Sequence, residues 1–186
     1  MTTTEAASVE LRDLLLSRIR DVPDYPQPGV TFKDITPLLA DPVAFNALVD
    51  ALAGLCRRHA ATKVVGLEAR GFILAAPAAA RAHLGFVPVR KAGKLPGETL
   101  GKTYDLEYGT AEIEVQTDAF APDDRVLVID DVLATGGTAE AALDLVRRAG
   151  ATIAGVAVLL ELEFLDGRAR LAPALGGAPL EALITV

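Results

Sequence analysis

The sequence predicts an α/β fold: a central, mainly parallel sheet with helices on both faces, an N-terminal cap (a hood), and a flexible antiparallel hairpin over the site. Three observations predict it. Short, continuously apolar runs such as "KVVGLE", "FVPVRK", "RVLVIDD" and "TIAGVAVLLEL" read as strands buried on both faces. Helical patterns alternate with them, "ARGFILAAPAAARAHLG" after the first and "GGTAEAALDLVRRAG" after the third. Two alternating runs, "TYDLEY" and "AEIEVQ", flank Gly109 and predict an antiparallel hairpin.

The elements follow in order. "LRDLLLSRIRDVPD" places Leu11, Leu14, Leu15 and Ile19 at helical spacing, with Pro23 as the stop. "YPQPGVTFKDITPLL" is proline-rich and reads as irregular. Asp41-Pro42 is an N-cap followed by a first-turn proline, opening a helix to about Arg58. The helix through Pro77 is expected to kink there. Gly150 closes the helix that begins near Gly137. After Ala172 only a final strand is indicated. With no internal repeat and no linker, residues 1–186 form one domain, in which 1–40 caps one end of the sheet and 92–116 is a mobile loop and hairpin. Gly93, Pro96, Gly97 and Gly101 suit a hinge in that segment.

At 186 residues the chain is long enough to bury a core of its own. Its formal net charge of −7 argues against a nucleic-acid or anionic-membrane partner, while leaving room for a local anion site. No targeting segment is visible and no apolar run approaches the roughly 20 residues of a membrane span, so a cytoplasmic setting is expected. The single cysteine, Cys56, shares a helical stripe with Phe45, Leu48, Val49 and Leu52 and reads as core. His59 and His83 read as surface or packing residues, and no His/Cys spacing suggests a structural metal.

The chemistry gathers where strands end. In open parallel sheets, ligands sit beyond the carboxyl ends of the strands. "VLVIDDVLATGGT" puts Asp130 and Asp131 there, followed by Ala134, Thr135, Gly136, Gly137 and Thr138 at a helix start. Glycines turn backbone N–H groups toward an anion, the helix N-terminus adds partial positive charge, and the threonines donate further bonds, so this loop should hold a phosphate. It is not a P-loop, because no lysine follows the glycines. Two carboxylates beside a phosphate make sense when sugar hydroxyls, or a Mg²⁺ shared with the ligand, lie between. Arg70 past the first strand, and Arg90, Lys91 and Lys94 past the second, form a second anion site. A phosphorylated sugar bearing a diphosphate would use both.

These residues resemble the phosphoribosyl-pyrophosphate motif of the type I phosphoribosyltransferases. "PGVTFKDITPLL", "GLEARGF", "VRKAGKLPGET", "YDLEYG" and "LLELEFLDGRARLAP" are similar, in that order, to the adenine phosphoribosyltransferase family, over roughly residues 10 to 175. The resemblance implies a Mg²⁺-dependent pentosyltransferase of purine salvage, a homodimer converting adenine and phosphoribosyl pyrophosphate to AMP and pyrophosphate. It implies that Ala134 to Thr138 hold the 5′-phosphate and that Asp130 and Asp131 face the ribose hydroxyls. Mg²⁺ is then held mainly by substrate, with the two aspartates reaching it through water. Arg70 lies at the pyrophosphate after a Glu68-Ala69 turn with a cis peptide. Arg90, Lys91 and Lys94 extend that site, in the same or the partner subunit. Phe32 stacks on the base, Thr31 and Lys33 read its edge, Leu162 presses the other face, and Glu107 and Tyr108 act from the hairpin. Two positions depart from the pattern: Lys33 stands where arginine is common, and Ala69 where serine is. Lysine lacks the planar fork of arginine, so backbone recognition is expected at position 33.

The implied chemistry passes through an oxocarbenium-like sugar, as in glycoside hydrolysis. It requires neutralisation of the leaving pyrophosphate, anions near the sugar, and exclusion of water. Two alternatives differ in class. A non-catalytic sensor of the same ligand would carry an added nucleic-acid-binding segment. The same enzyme acting on xanthine or hypoxanthine is opposed by "PGVTFKDITP".

Overall fold

The computed structural model describes residues 3–105 and 109–186. The chain forms two compact units, Met1–Ala51 and Leu52–Val186.

The first unit opens with α1 (Thr3–Leu16), followed by strands β1 (Arg20–Val22) and β2 (Phe32–Asp34), helix α2 (Thr36–Ala40) and the start of α3 (Pro42–Arg58). The helical spacing predicted through Ile19 stops at Leu16, because Arg20–Val22 pairs antiparallel with Phe32–Asp34. Ion pairs across this ladder, Arg20 to Asp34 at 2.6 Å and Lys33 to Asp21 at 2.8 Å, hold the three-residue strands together. The stretch read as irregular therefore contains a strand and a helix. Both are too short for periodicity to show. Asp41 caps α3 as expected, its Oδ1 accepting N–H bonds from Val43 and Ala44 at 2.9 and 3.0 Å.

In the second unit, β3 (Lys63–Leu67), α4 (Arg70–Ala82), β4 (Gly85–Lys91), β5 (Thr99–Asp105), β6 (Thr110–Gln116), β7 (Arg125–Leu133), α5 (Gly137–Arg148), β8 (Thr152–Glu161), α6 (Gly167–Leu175) and β9 (Leu180–Thr185) follow in order. Seven strands form one sheet in the order β5-β6-β4-β3-β7-β8-β9. Strands β4, β3, β7, β8 and β9 run parallel, and β5 and β6 add an antiparallel edge. Alternate residues serve opposite faces. Val65, Leu67, Val126 and Val128 join the core under α5, whereas Gly66 faces Ala75 of α4. That two-sided cover explains why the strands read as unbroken apolar runs.

Helix α4 continues through Pro77. Helix α6 is an addition to the sequence reading; its pattern "GRARLAPAL" has only two large apolar residues, Leu171 and Leu175, and both are buried. Cys56 is fully buried, and burial pushes its thiol up to about 11, so it is core and inert. His59 is bonded to Glu181 at 2.9 Å.

Candidate active site

Register places the two aspartates. Pairing between β3 and β7 ends at Gly66 and Ile129, while pairing between β7 and β8 continues to Leu133 and Glu161. Past Ile129, β7 has lost its partner on one side, so Asp130 and Asp131 face the gap where the chain turns into α4 at Arg70. Asp130 is half-buried and Asp131 is 5% exposed. Arg70 Nε lies 2.7 Å from Asp131 Oδ2. The two are an ion pair by distance, but the N–H does not point along that line. Oδ2 remains a buried acceptor with no aligned donor among the described residues. The Asp131 N–H donates to Asp130 Oδ1 at 2.9 Å. Burial, then the neighbouring Asp131 charge, raises the Asp130 carboxyl well above its ordinary value. Burial also raises Asp131, opposed by Arg70. Both carboxyls are therefore harder to ionise than exposed aspartates, and hydroxyl donors or a cation beside them would favour the charged form.

Directly beyond, Gly136 takes φ +83° and precedes α5, whose first turn has no side-chain cap bond. Its backbone N–H groups are therefore open to an anion. A Cβ at Gly136 would stand 2.9 Å from the Gly167 carbonyl oxygen, and one at Gly167 would collide with that of Ala134. The start of α6 thus braces the loop backbone to backbone, and the Arg170 side chain adds an ion pair to Glu140 at 2.9 Å. A cavity of about 80 Å³ joins Asp130 to Val132, Leu133 and the loop Ala134–Thr138. Leu162 follows β8 at the same sheet edge, its N–H donating to the Leu133 carbonyl at 2.9 Å. Gly136→Ala should cost about 1–3 kcal/mol, from a left-handed residue and the crowded Gly167 carbonyl. At roughly 2–4 °C per kcal/mol, calorimetry reads this as a lowered melting temperature. An unchanged Tm would mean the loop relaxes freely.

The cationic cluster after β4 is organised by an acid. Glu68 Oε1 and Oε2 accept from Arg90 Nη2 and Nε, each at 3.2 Å, and Oε2 also accepts the Lys91 N–H at 2.9 Å. The Arg90 fork holds Glu68 below the usual carboxylate range. Arg90 Nη1 donates to the Lys94 carbonyl at 3.1 Å. The peptide between Glu68 and Ala69 is cis, as the resemblance implied. Lys91 and Lys94 are exposed on the turn after β4. That turn is pinned by buried Glu114, whose Oε1 accepts the Lys94 and Leu95 N–H groups and whose Oε2 accepts the Thr99 hydroxyl, all at 3.1 Å. Glu68, Glu114 and Gly167 were not singled out from sequence as site residues. Glu68 lies 22 residues before Arg90, and only the pairing of β3 with β4 brings them together, so no local signal could have found it. Glu114 alternates within a strand and gives none.

Thr31, Phe32 and Lys33 belong to the first unit. Thr31 is exposed and Phe32 half-buried, its ring edge-to-face with Tyr25 at 5.2 Å and 78°. The Lys33 ammonium is engaged by Asp21. Glu107 and Tyr108 lie outside the described residues. Among the described residues, no group of three or more His, Cys, Asp or Glu side chains could form a metal cage. Asp130 and Asp131 fit a Mg²⁺ carried in by substrate. That ion keeps several waters and takes one or two carboxylates beside phosphate oxygens, and Asp131 Oδ2 offers a buried acceptor.

An open parallel sheet whose strand ends carry two carboxylates and a glycine loop at a helix start defines the type I phosphoribosyltransferase class. The comparisons agree. Residues 39–174 match the phosphoribosyl transferase domain. The adenine phosphoribosyltransferase of Streptomyces coelicolor is 74% identical over 176 residues, covering 95% of this chain and 97% of that protein. The crystal structure of adenine phosphoribosyltransferase from Rhodothermus marinus superimposes with a TM-score of 0.88 at 48% identity, covering 96% of this chain and 99% of that one. The Saccharomyces cerevisiae adenine phosphoribosyltransferase, solved with an imino-altritol bisphosphate and adenine, has a TM-score of 0.88 at 37% identity, covering 95% and 99%. The chain belongs to the adenine phosphoribosyltransferase family.

Proposed function

We propose that this chain transfers the 5-phosphoribosyl group of phosphoribosyl pyrophosphate to adenine, releasing pyrophosphate and forming AMP in purine salvage. The observation that carries it is the cavity joining Asp130 to the loop Ala134–Thr138. It supplies hydroxyl acceptors and phosphate donors to one ligand. Backbone N–H groups of that loop and the hydroxyls of Thr135 and Thr138 hold the 5′-phosphate. Asp130 and Asp131 accept the ribose hydroxyls and keep negative charge near the sugar as the bond from C1 to pyrophosphate breaks. Mg²⁺, when bound, neutralises the leaving pyrophosphate, which Arg70, Arg90, Lys91 and Lys94 also attract. Phe32 stacks on the base, with Leu162 on its other face. The backbone of Thr31 and Lys33 reads its edge, since Asp21 engages the Lys33 ammonium. The N-terminal segment 1–40 acts as the base-binding cap, and 92–116 as the catalytic hairpin.

A homodimer in the cytoplasm is part of the proposal. No described helix is long and apolar enough to cross a membrane. Pyrophosphate release, assayed with each purine base with and without Mg²⁺, tests the reading. Adenine with Mg²⁺ should be the productive pair, and equal release with hypoxanthine would overturn the choice of base.

Glu107 is proposed to take or relay the proton that adenine loses as its ring nitrogen bonds to C1, with Tyr108 beside it. Glu107→Gln should leave adenine affinity nearly intact and slow single-turnover AMP formation at least about tenfold, the low side of general-base effects. A mutant forming AMP at the wild-type rate would make Glu107 a bystander, leaving water or the departing pyrophosphate to take the proton.

A further inference from the structure

Strand β5 docks along α5 through polar contacts that the reaction as described does not use. At the far end, Arg148 Nη1 donates to the Gly101 carbonyl at 2.8 Å, and Lys102 pairs with Asp144 at 3.4 Å. At the near end, the Asp105 carbonyl packs so close to Gly137 that a Cβ there would meet it at 3.3 Å. Between them, the hydroxyls of Thr138 and Tyr104 lie 3.3 Å apart, and the Tyr104 ring packs against the core. Thr138 is a residue of the loop assigned to the 5′-phosphate.

We propose that Tyr104 is a positioning residue that couples occupancy of the 5′-phosphate site to the docking of β5 on α5. The proposal rests on the reading that Ala134–Thr138 hold that phosphate. Thr138 carries one hydroxyl proton. Without phosphate it is shared loosely with Tyr104, at a separation long for two hydroxyls, whose usual distance is about 2.7–2.8 Å. A bound phosphate takes that proton. Tyr104 must then turn its own O–H into the Thr138 oxygen, making a chain from Tyr104 to Thr138 to phosphate. Each bond in such a chain polarises the next, so the Tyr104 bond tightens when phosphate arrives. The strand bearing Tyr104 is then held harder against α5, and the Thr138 donor is held in line with the phosphate.

Hydrogen exchange of the 99–105 amides, with and without ribose 5-phosphate, tests this alongside calorimetric binding of the same ligand. In the wild-type protein, ribose 5-phosphate should slow exchange in 99–105. In Tyr104→Phe, which keeps the ring and loses only the hydroxyl, that gain should vanish, and KM for phosphoribosyl pyrophosphate should rise about fivefold, the effect of one hydrogen bond, with KM for adenine unchanged. Arg148→Ala should exchange faster without ligand yet keep the ligand-dependent gain. A full gain in Tyr104→Phe, or loss of the gain in Arg148→Ala as well, would overturn the role of Tyr104. If wild-type protein binds ribose 5-phosphate with no change in exchange, the coupling fails while the phosphate site stands. If it binds none, the phosphate reading fails and the coupling with it.

Discussion

Asp130→Asn should lower turnover about 10²-fold while raising the melting temperature of the ligand-free protein. The loss has the size expected when one preorganised group facing a charge-developing transition state is removed. An amide accepts hydroxyls through one oxygen instead of two and brings no negative charge to the sugar. The gain comes from the free protein. Burial and the adjacent Asp131 push the Asp130 carboxyl well above its ordinary value of 3.8. Between that value and the raised folded one, the unfolded chain has released its proton while the folded protein still holds it. The associated stability is fully present below pH 3.8 and fades as pH rises through the raised folded value. Asparagine has no proton to lose, so the variant's advantage in Tm should widen as pH rises from 3.8 to the raised folded value and stay level above it. If the net gain is on the order of 1 kcal/mol, Tm moves by roughly 2–4 °C. Asp131→Asn should lose comparable turnover with less gain in Tm, because Arg70 offsets part of the cost of the Asp131 charge. Steady-state kinetics with scanning calorimetry between pH 5 and 8 checks both halves. Undiminished turnover in both variants would remove the aspartates from the site. A fall in Tm that does not depend on pH would mean the Asp130 carboxylate stabilises the empty protein.

Charged groups set against a buried strand also explain why so much of the second unit was legible. Residues that work against the core stand out from it. Two acids directly after Val126–Ile129, four fully buried residues, break an apolar run at the point where the strand loses its β3 neighbour. The helix starting at Gly137 and the parallel strands announced themselves through burial on both faces, which writes continuous apolar runs into the sequence. Elements held mainly by polar or backbone contacts left less trace. Strands β1 and β2 have three residues each, braced by Arg20–Asp34 and Lys33–Asp21, and no period can be read from three residues. Helix α6 is held partly through Gly167, which lets its backbone approach the Ala134–Thr138 loop. A glycine needed for closeness looks the same in sequence as one needed for a turn. Glu68 was read as part of a turn, and its bidentate hold on Arg90 depends on β3 and β4 being neighbours, a non-local fact. The segment before β5, whose glycines read as a hinge, has its turn fastened by Glu114, Arg90 and Gln116.

Phe32→Ala should weaken the use of adenine by one to two powers of ten and leave the use of phosphoribosyl pyrophosphate nearly unchanged. Stacking a base on an aromatic face contributes on the order of 1–3 kcal/mol, which converts to about 5- to 150-fold in affinity. Phe32 also has a structural contact to lose, its edge-to-face pair with Tyr25. Such pairs contribute about 0.5–1.5 kcal/mol, so a lower Tm is expected as well and has to be separated from the effect on binding. Tyr25 is 54% exposed, which makes the separation practicable. Tyr25→Ala deletes the same ring contact and leaves the Phe32 ring to meet the base. It should lower Tm about as much as Phe32→Ala while costing far less in KM for adenine. Lys33→Ala adds a third arm. Its ammonium is engaged by Asp21, so if position 33 serves the base through backbone, this variant should lose stability before it loses adenine. The decisive measurement is KM for each substrate in all three variants, at a temperature where each is folded. Equal losses for both substrates in Phe32→Ala would indicate a damaged first unit. A Tyr25→Ala variant as poor with adenine as Phe32→Ala would make Phe32 a packing residue.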